Sequence, residues 1–212
     1  MRKNSKEAII TAAVSLFNSN GYDGTSIRDI AREAKINAAN ISYYFRNKQG
    51  LLEYCLTAFF EGYMAELEKG FSTLEAGATD CLRDISKKLW FYQCNHIQLT
   101  RFVLREMSID SQIVREILST YYSKEKYIFH TVLEKGIEAK EFHSHAIHYL
   151  LIQFKGLLSI PFLNTQYLTE VLHVFPQERY FADKYLQEIY RWIDGIVCAN
   201  SGNPSNGLLK TS

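Results

Sequence analysis

The sequence predicts an all-α protein, with a small N-terminal three-helix head joined by a long helix to a larger helical body. Three observations carry this. Only three prolines and eleven glycines occur in 212 residues, too few for the turns of a β fold. Apolar residues recur at three- and four-residue spacing from Ser5 to the last quarter of the chain. Capping residues stand where that spacing is interrupted. At 47% apolar and 22% charged residues, the chain can bury a sizeable core within one large domain or two small ones.

The first helix is read from Ser5 to Asn18, with Ile9, Ile10, Ala13, Leu16 and Phe17 on one face. Asn20-Gly21 ends it, because glycine accepts the left-handed conformation that closes a helix. Thr25 and Ser26 offer hydroxyl caps for a second helix whose inner face is Ile27, Ile30, Ala31 and Ala34, with Asp29 suited to its positive end. Asn37 caps a third helix, Ala38 to Tyr44, with Ile41, Tyr44 and Phe45 inward. Asn47 caps a fourth, which begins at Lys48 and runs to about Phe71 along a stripe of Leu51, Leu52, Cys55, Phe59, Tyr63 and Leu67. Further helices are expected at 79–95, 98–107, 111–139, 144–163, 167–174 and 178–199, with late breaks at Pro161 and Pro176. Residues 201–212 are rich in Ser, Gly and Asn and predict a disordered tail. The domains expected are thus 1–50, 51–200 and the tail.

Charge divides along the same boundary. Residues 1–50 carry eight Lys/Arg (Arg2, Lys3, Lys6, Arg28, Arg32, Lys35, Arg46, Lys48) against four acids, a balance of +4, whereas the rest carries 16 basic against 19 acidic residues, a balance of −3. A basic head on a mildly acidic body suits a phosphate-binding head, although the excess is modest. The four cysteines form no C-x-x-C pair, which speaks against a zinc ribbon or disulfide framework and for a reducing cytoplasm. The start MRKNSKEAII lacks the apolar run of a signal peptide. The most apolar stretch, 149–163, is too short for a membrane span and is interrupted by Lys155.

Two short helices around a tight turn, followed by a lysine-led helix, form the layout of a helix-turn-helix DNA reader. A helix enters the major groove only if its outward face is free of bulky core residues and carries hydrogen-bonding groups. Ala38 and Ala39 permit close approach and can meet thymine methyls. Asn40 is the candidate for a bidentate contact with adenine, and Tyr43 lies one turn on. Thr25, Ser26, Arg28, Tyr44 and Lys48 are placed for the DNA backbone, where contacts set register. The alternative is a plain helical hairpin, with the tyrosines as core or surface filler.

The run from Ala8 to Leu52 resembles the DNA-binding head of TetR-type regulators. The pattern A-x-x-L-F-x-x-x-G-Y-x-x-T is met by Ala13, Leu16, Phe17, Gly21, Tyr22 and Thr25. Its continuation I-A-x-x-A-x-V is met by Ile30, Ala31, Ala34 and Ile36. The final L-Y-x-Y-F-x-x-K-x-x-L is met by Ile41, Tyr44, Phe45, Lys48 and Leu51, with Ser42 where tyrosine is common. Lys35 stands where the family usually has glycine. The resemblance covers about a quarter of the chain and implies a homodimer on a near-palindromic duplex site, regulating transcription. The runs ISYYFRNKQGLLE and FFEGY are also similar to those of a TetR-type protein of sporulating Bacillus relatives that binds DNA and acts on the division protein FtsZ. That likeness implies control of cell division and makes FtsZ a candidate partner. The alternative is a ligand-responsive repressor of a local operon.

The resemblance further implies pairing through two C-terminal helices, here 144–163 and 178–199. Leu150, Phe154, Leu157 and Leu158 on the first, and Tyr185, Ile189, Trp192 and Ile193 on the second, are the interface candidates; Gly156 and Gly195 would admit close backbone approach. The other reading makes both core helices of one subunit. Trp90, Phe91, Tyr92, Phe102, Tyr121, Tyr122, Tyr127 and Phe129 line either a small-molecule effector pocket or an ordinary core. Residues 98–118 are a partner surface or a solvated face. His143, His145 and His148 are the sole suggestive metal cluster, without a carboxylate or thiol at matching spacing. Phosphate loops, nucleophile elbows and paired-carboxylate motifs do not occur, so no enzyme activity and no cofactor is expected.

Overall fold

The computed structural model describes residues 2–109, 111–144 and 146–199. The expected tail at 201–212, His145, and the side chains of Arg2 and Lys3 lie outside the described residues. The described chain is all-α: α1 (Arg2–Asn20), α2 (Ile27–Glu33), α3 (Ala38–Phe45), α4 (Lys48–Phe71), α5 (Ala78–Asn95), α6 (Ile97–Ile109), α7 (Gln112–Glu138), α8 (Ile147–Leu163) and α9 (Arg179–Trp192). Single π-helical turns follow α8 at Tyr167–Val171 and α9 at Ile193–Val197.

Local capping chemistry sets the head. Ser26, rather than Thr25, caps α2: its hydroxyl accepts from the Asp29 N–H while Asp29 accepts from the Ser26 N–H, a reciprocal capping box. Asn37 accepts from the Ala39 N–H at the start of α3, and Asn47 from the Gly50 N–H at the start of α4. The turns on either side of α2 take left-handed backbone, at Gly21 (φ 79°) and Lys35 (φ 55°). Glycine meets that demand without strain, and lysine does not, which costs roughly 1–2 kcal/mol. Lys35→Gly is therefore expected to raise stability by about 0.5–1 kcal/mol once the freer unfolded glycine is allowed for. Urea unfolding checks this, and an unchanged or lower midpoint would count against the strain.

At 24 residues, α4 is roughly 36 Å long and runs from head into body. Its body half brings its backbone close to that of α5 at Gly70, where an added Cβ would lie 2.8 Å from Ile85 Cα. The head is joined to the body mainly through α6. Phe17 stacks on Phe102 with ring centroids 5.1 Å apart. Arg105 donates to the carbonyls of Phe17 and Asn18, capping the last turn of α1, and Asn18 Nδ2 donates to the Gln98 carbonyl at 2.8 Å.

Pro161 does not break α8 as expected; it sits in the last turn. The proline lacks the N–H that would donate to the Leu157 carbonyl four residues back. The hydroxyl of Tyr185, from α9, donates to that carbonyl instead at 2.9 Å. A few residues earlier on α9, the Ala182 carbonyl accepts from Trp90 Nε1 of α5 at 2.8 Å, so both helices are fastened to the body by aromatic donors. The start of α5 has only Gly77 as its cap, with no side chain to offer. The Glu141 carboxylate, 62 and 63 residues away in sequence, accepts from the Thr79 and Ala78 N–H groups at 2.8 and 3.1 Å.

Most of the aromatics serve packing. Trp90, Phe102 and Phe129 are buried, Tyr92 and Tyr121 lie against Phe59 and Phe60 of α4, and Phe91 sits below the Arg179 guanidinium. Tyr122 and Tyr127 point outward. A void among Leu82, Phe129, Phe154 and Trp192 measures about 10 Å³, room for one water at most.

Candidate nucleic-acid interface

The third helix is held from beneath by Ile41 and Phe45, both buried among α1, α2 and α4. What remains outward is small or polar. Ala39, Ser42 and Tyr43 are exposed, Ala38 and Asn40 half-buried. Tyr43 is the extreme case at 73% exposure, its ring set edge-on to Tyr44 at 5.1 Å. The helix thus presents a large ring to water beside small and polar side chains, a face open to a partner. Exposed cations frame it: Arg28 at the start of α2, Lys35 in the turn and Arg46 just past α3. Arg46, left-handed at φ 66°, carries no sequence signal, because only the fold shows that it closes the helix.

Three of the expected backbone-contact residues are engaged within the head. Thr25 is 1% exposed, and its hydroxyl donates to the carbonyls of Gly21 and Leu16 at 2.8 and 3.3 Å. The Ser26 hydroxyl donates to Asp29 at 2.6 Å, so a carboxylate already occupies the first turn of α2, where a phosphate would meet repulsion. Those hydrogen bonds from Ser26 hold the Asp29 carboxyl below its ordinary pKa. Lys48 reaches back from α4. Its ammonium donates to the carbonyls of Tyr22 and Thr25 at 2.9 and 3.0 Å and lies 4.2 Å from the Tyr22 ring centre. The lysine thus ties the α1–α2 turn to α4. Adjacent hydroxyls and a helix-opening lysine read alike in sequence whether they face inward or outward.

Of the residues expected to pair two subunits, five are turned inward and three are half-buried. Leu150, Phe154, Leu158, Ile189 and Ile193 face the subunit's own core. Leu157 and Tyr185 meet through the bond beside Pro161, and Trp192 Nε1 donates to Gln153 Oε1 at 3.3 Å. The free apolar stripe of α8 is a different set: Tyr149, Ile152, Ile160 and Leu163 are exposed, with Gly156 between them and open space above it. Their spacings of three, four and seven residues put them on one face.

Burial pushes the thiols of Cys55 and Cys94 up to about 12 and that of Cys81 to about 11, far from a reactive thiolate at neutral pH. Among the described residues, no group of three or more His, Cys, Asp or Glu is placed to hold a metal ion, and no helix is long and apolar enough to cross a membrane.

Known proteins resemble this chain in sequence and in fold. A family model described as "Bacterial regulatory proteins, tetR family" matches residues 9–55. The chain is similar to the "Probable HTH-type transcriptional regulator YttP" of Bacillus subtilis (strain 168), with 44% identity over 197 residues that cover 92% of this chain and 95% of that protein. Over 56 residues it is 38% identical to the "Biofilm operon icaADBC HTH-type negative transcriptional regulator IcaR" of Staphylococcus aureus (strain Newman), covering 26% of this chain and 30% of that one. The crystal structure of the TetR family transcriptional regulator PfmR from Thermus thermophilus has a similar fold, with TM-score 0.73 and 17% identity over 91% of this chain and 96% of that chain.

Proposed function

The chain belongs to the TetR family of bacterial regulatory proteins, and on that premise we propose that it binds a near-palindromic DNA site as a homodimer, reading bases with α3. The observation that carries this is the cleared outer face of α3, with Tyr43 in water and Ala39 and Ser42 beside it. In this reading Ala38, Ala39, Asn40 and Tyr43 meet base edges, while Arg28, Tyr44 and Lys48 meet phosphates and Thr25 and Ser26 hold the turn that presents them. The head comprises residues 1–50 and the body 51–200. The body pairs through the Tyr149–Leu163 stripe, which would set two heads about one duplex turn apart.

Footprinting of the purified protein on genomic fragments tests the reading. A protected site with two-fold symmetry and an affinity that falls steeply with salt is expected; salt-insensitive or absent duplex binding would end it. Asn40→Ala should cost about 1–3 kcal/mol at one base position in each half-site while sparing the others. A base-preference profile matching the wild type removes Asn40 from the reading set.

The proposal extends to control of cell division. The runs ISYYFRNKQGLLE and FFEGY resemble those of RefZ, the TetR-type protein that acts on FtsZ. Of these, Phe59, Phe60 and Tyr63 are buried, so the second run supports a shared body fold rather than a docking surface. A local repressor is the second reading, favoured by the likeness of the head to a negative regulator of an operon. A genome-wide binding map separates them: sites grouped at chromosomal positions favour the division role, and one site beside an operon favours the repressor.

A further inference from the structure

At the joint between head and body, an open cleft of about 530 Å³ lies between the α1–α2 turn and the α6–α7 corner. That volume is in the range of small-molecule sites. Glu106 of α6 lines it and is only 5% exposed, with Oε1 lacking any hydrogen-bond partner. A buried carboxylate oxygen without a donor is costly, and native proteins retain few such atoms. Asp23 and Glu116 add two more carboxylates to the lining. The lining's cation, Arg105, already donates to the carbonyls of Phe17 and Asn18. Ile109 and Ile113 supply an apolar wall, and Ile109 is largely exposed on it. An anion would meet three carboxylates here, and a purely apolar molecule would leave the Glu106 oxygen unanswered.

We propose that this cleft binds a small organic cation, an ammonium or guanidinium group carried on an apolar body. The charged group donates to the open oxygen of Glu106 within the field of Asp23 and Glu116, and the apolar part lies along Ile109 and Ile113. Burial holds the Glu106 carboxyl above its ordinary pKa, with Arg105 opposing that shift and Asp23 adding to it; a bound cation compensates the same cost. The position differs from the packed aromatic body. An occupant touches Gly21 and Tyr22 of the turn, and the carbonyl of Tyr22 is one of the two that Lys48 holds.

The test titrates the full chain, without DNA, with 2-phenylethylamine and with its neutral counterpart 2-phenylethanol, by calorimetry and by the NMR methyl shifts of Ile109 and Ile113. Saturable amine binding with shifts at both methyls is expected, the alcohol binding at least tenfold more weakly. Glu106→Gln should weaken the amine at least tenfold and leave the alcohol as it was. No saturable amine binding, equal affinity for the two probes, or a preference for the amine that survives Glu106→Gln overturns the proposal. Should that variant fail to fold, Glu116→Gln on the exposed rim takes its place: a two- to threefold loss of amine affinity supports the site, and an unchanged affinity overturns it.

Discussion

Replacing Ile152 by aspartate is expected to split the proposed homodimer while leaving each subunit folded. Ile152 is 68% exposed in the subunit and central to the free stripe of α8, so a charge there disturbs no intramolecular packing. In a two-fold interface the same residue enters from both sides, and the substitution sets two unpaired carboxylates into one apolar seam. Operator affinity should fall at least a hundredfold, because each head then binds its half-site without the effective concentration that its partner supplies. Sedimentation and anisotropy titration read the two effects separately. A variant that stays dimeric with wild-type affinity would place the pairing surface elsewhere. Leu158→Asp is the contrasting case: Leu158 is buried in the core, and its loss should unfold the subunit.

Lys48→Ala is expected to weaken binding to every duplex alike and to destabilise the head. Two carbonyls, those of Tyr22 and Thr25, lose a charged donor; the Tyr22 carbonyl keeps the Thr25 N–H at 3.2 Å, whereas leaving the Thr25 carbonyl without its donor costs about 1–3 kcal/mol. The turn they belong to carries α2 and thereby sets α3. If the third proton of the ammonium meets a phosphate, the salt slope should fall by about one as well. Equal thermal stability of variant and wild type would show that the tie contributes nothing. A loss confined to one base position would show a reading role instead.

The head was largely legible because its signals are local. The caps at Asn37 and Asn47, the small residues of α3 and the start of α4 at Lys48 each follow from a few neighbouring residues. Facing was less so. Thr25 and Ser26 are adjacent hydroxyls, and only the capping geometry shows which of them turns inward. In α8 the apolar residues extend well beyond the arc that faces the core, so the 3.6-residue period does not by itself separate core from surface; Leu150, Phe154 and Leu158 then look as suitable for pairing as Tyr149, Ile152 and Ile160. Pro161 is a breaker by every local rule, and its tolerance depends on a tyrosine hydroxyl two dozen residues downstream. The solitary oxygen of Glu106 has no sequence signature at all.

The carboxylate of Glu141 on the opening turn of α5 has a bearing on assembly. A helix whose first amides wait for a group some sixty positions later in the chain cannot complete its own end as it is synthesised. That end becomes satisfied only when α7 has formed and delivered the segment beyond it. Severing the chain between α5 and α7, or deleting Glu141, should therefore fray a helix that lies far away in sequence, and the body should melt in a single concerted step.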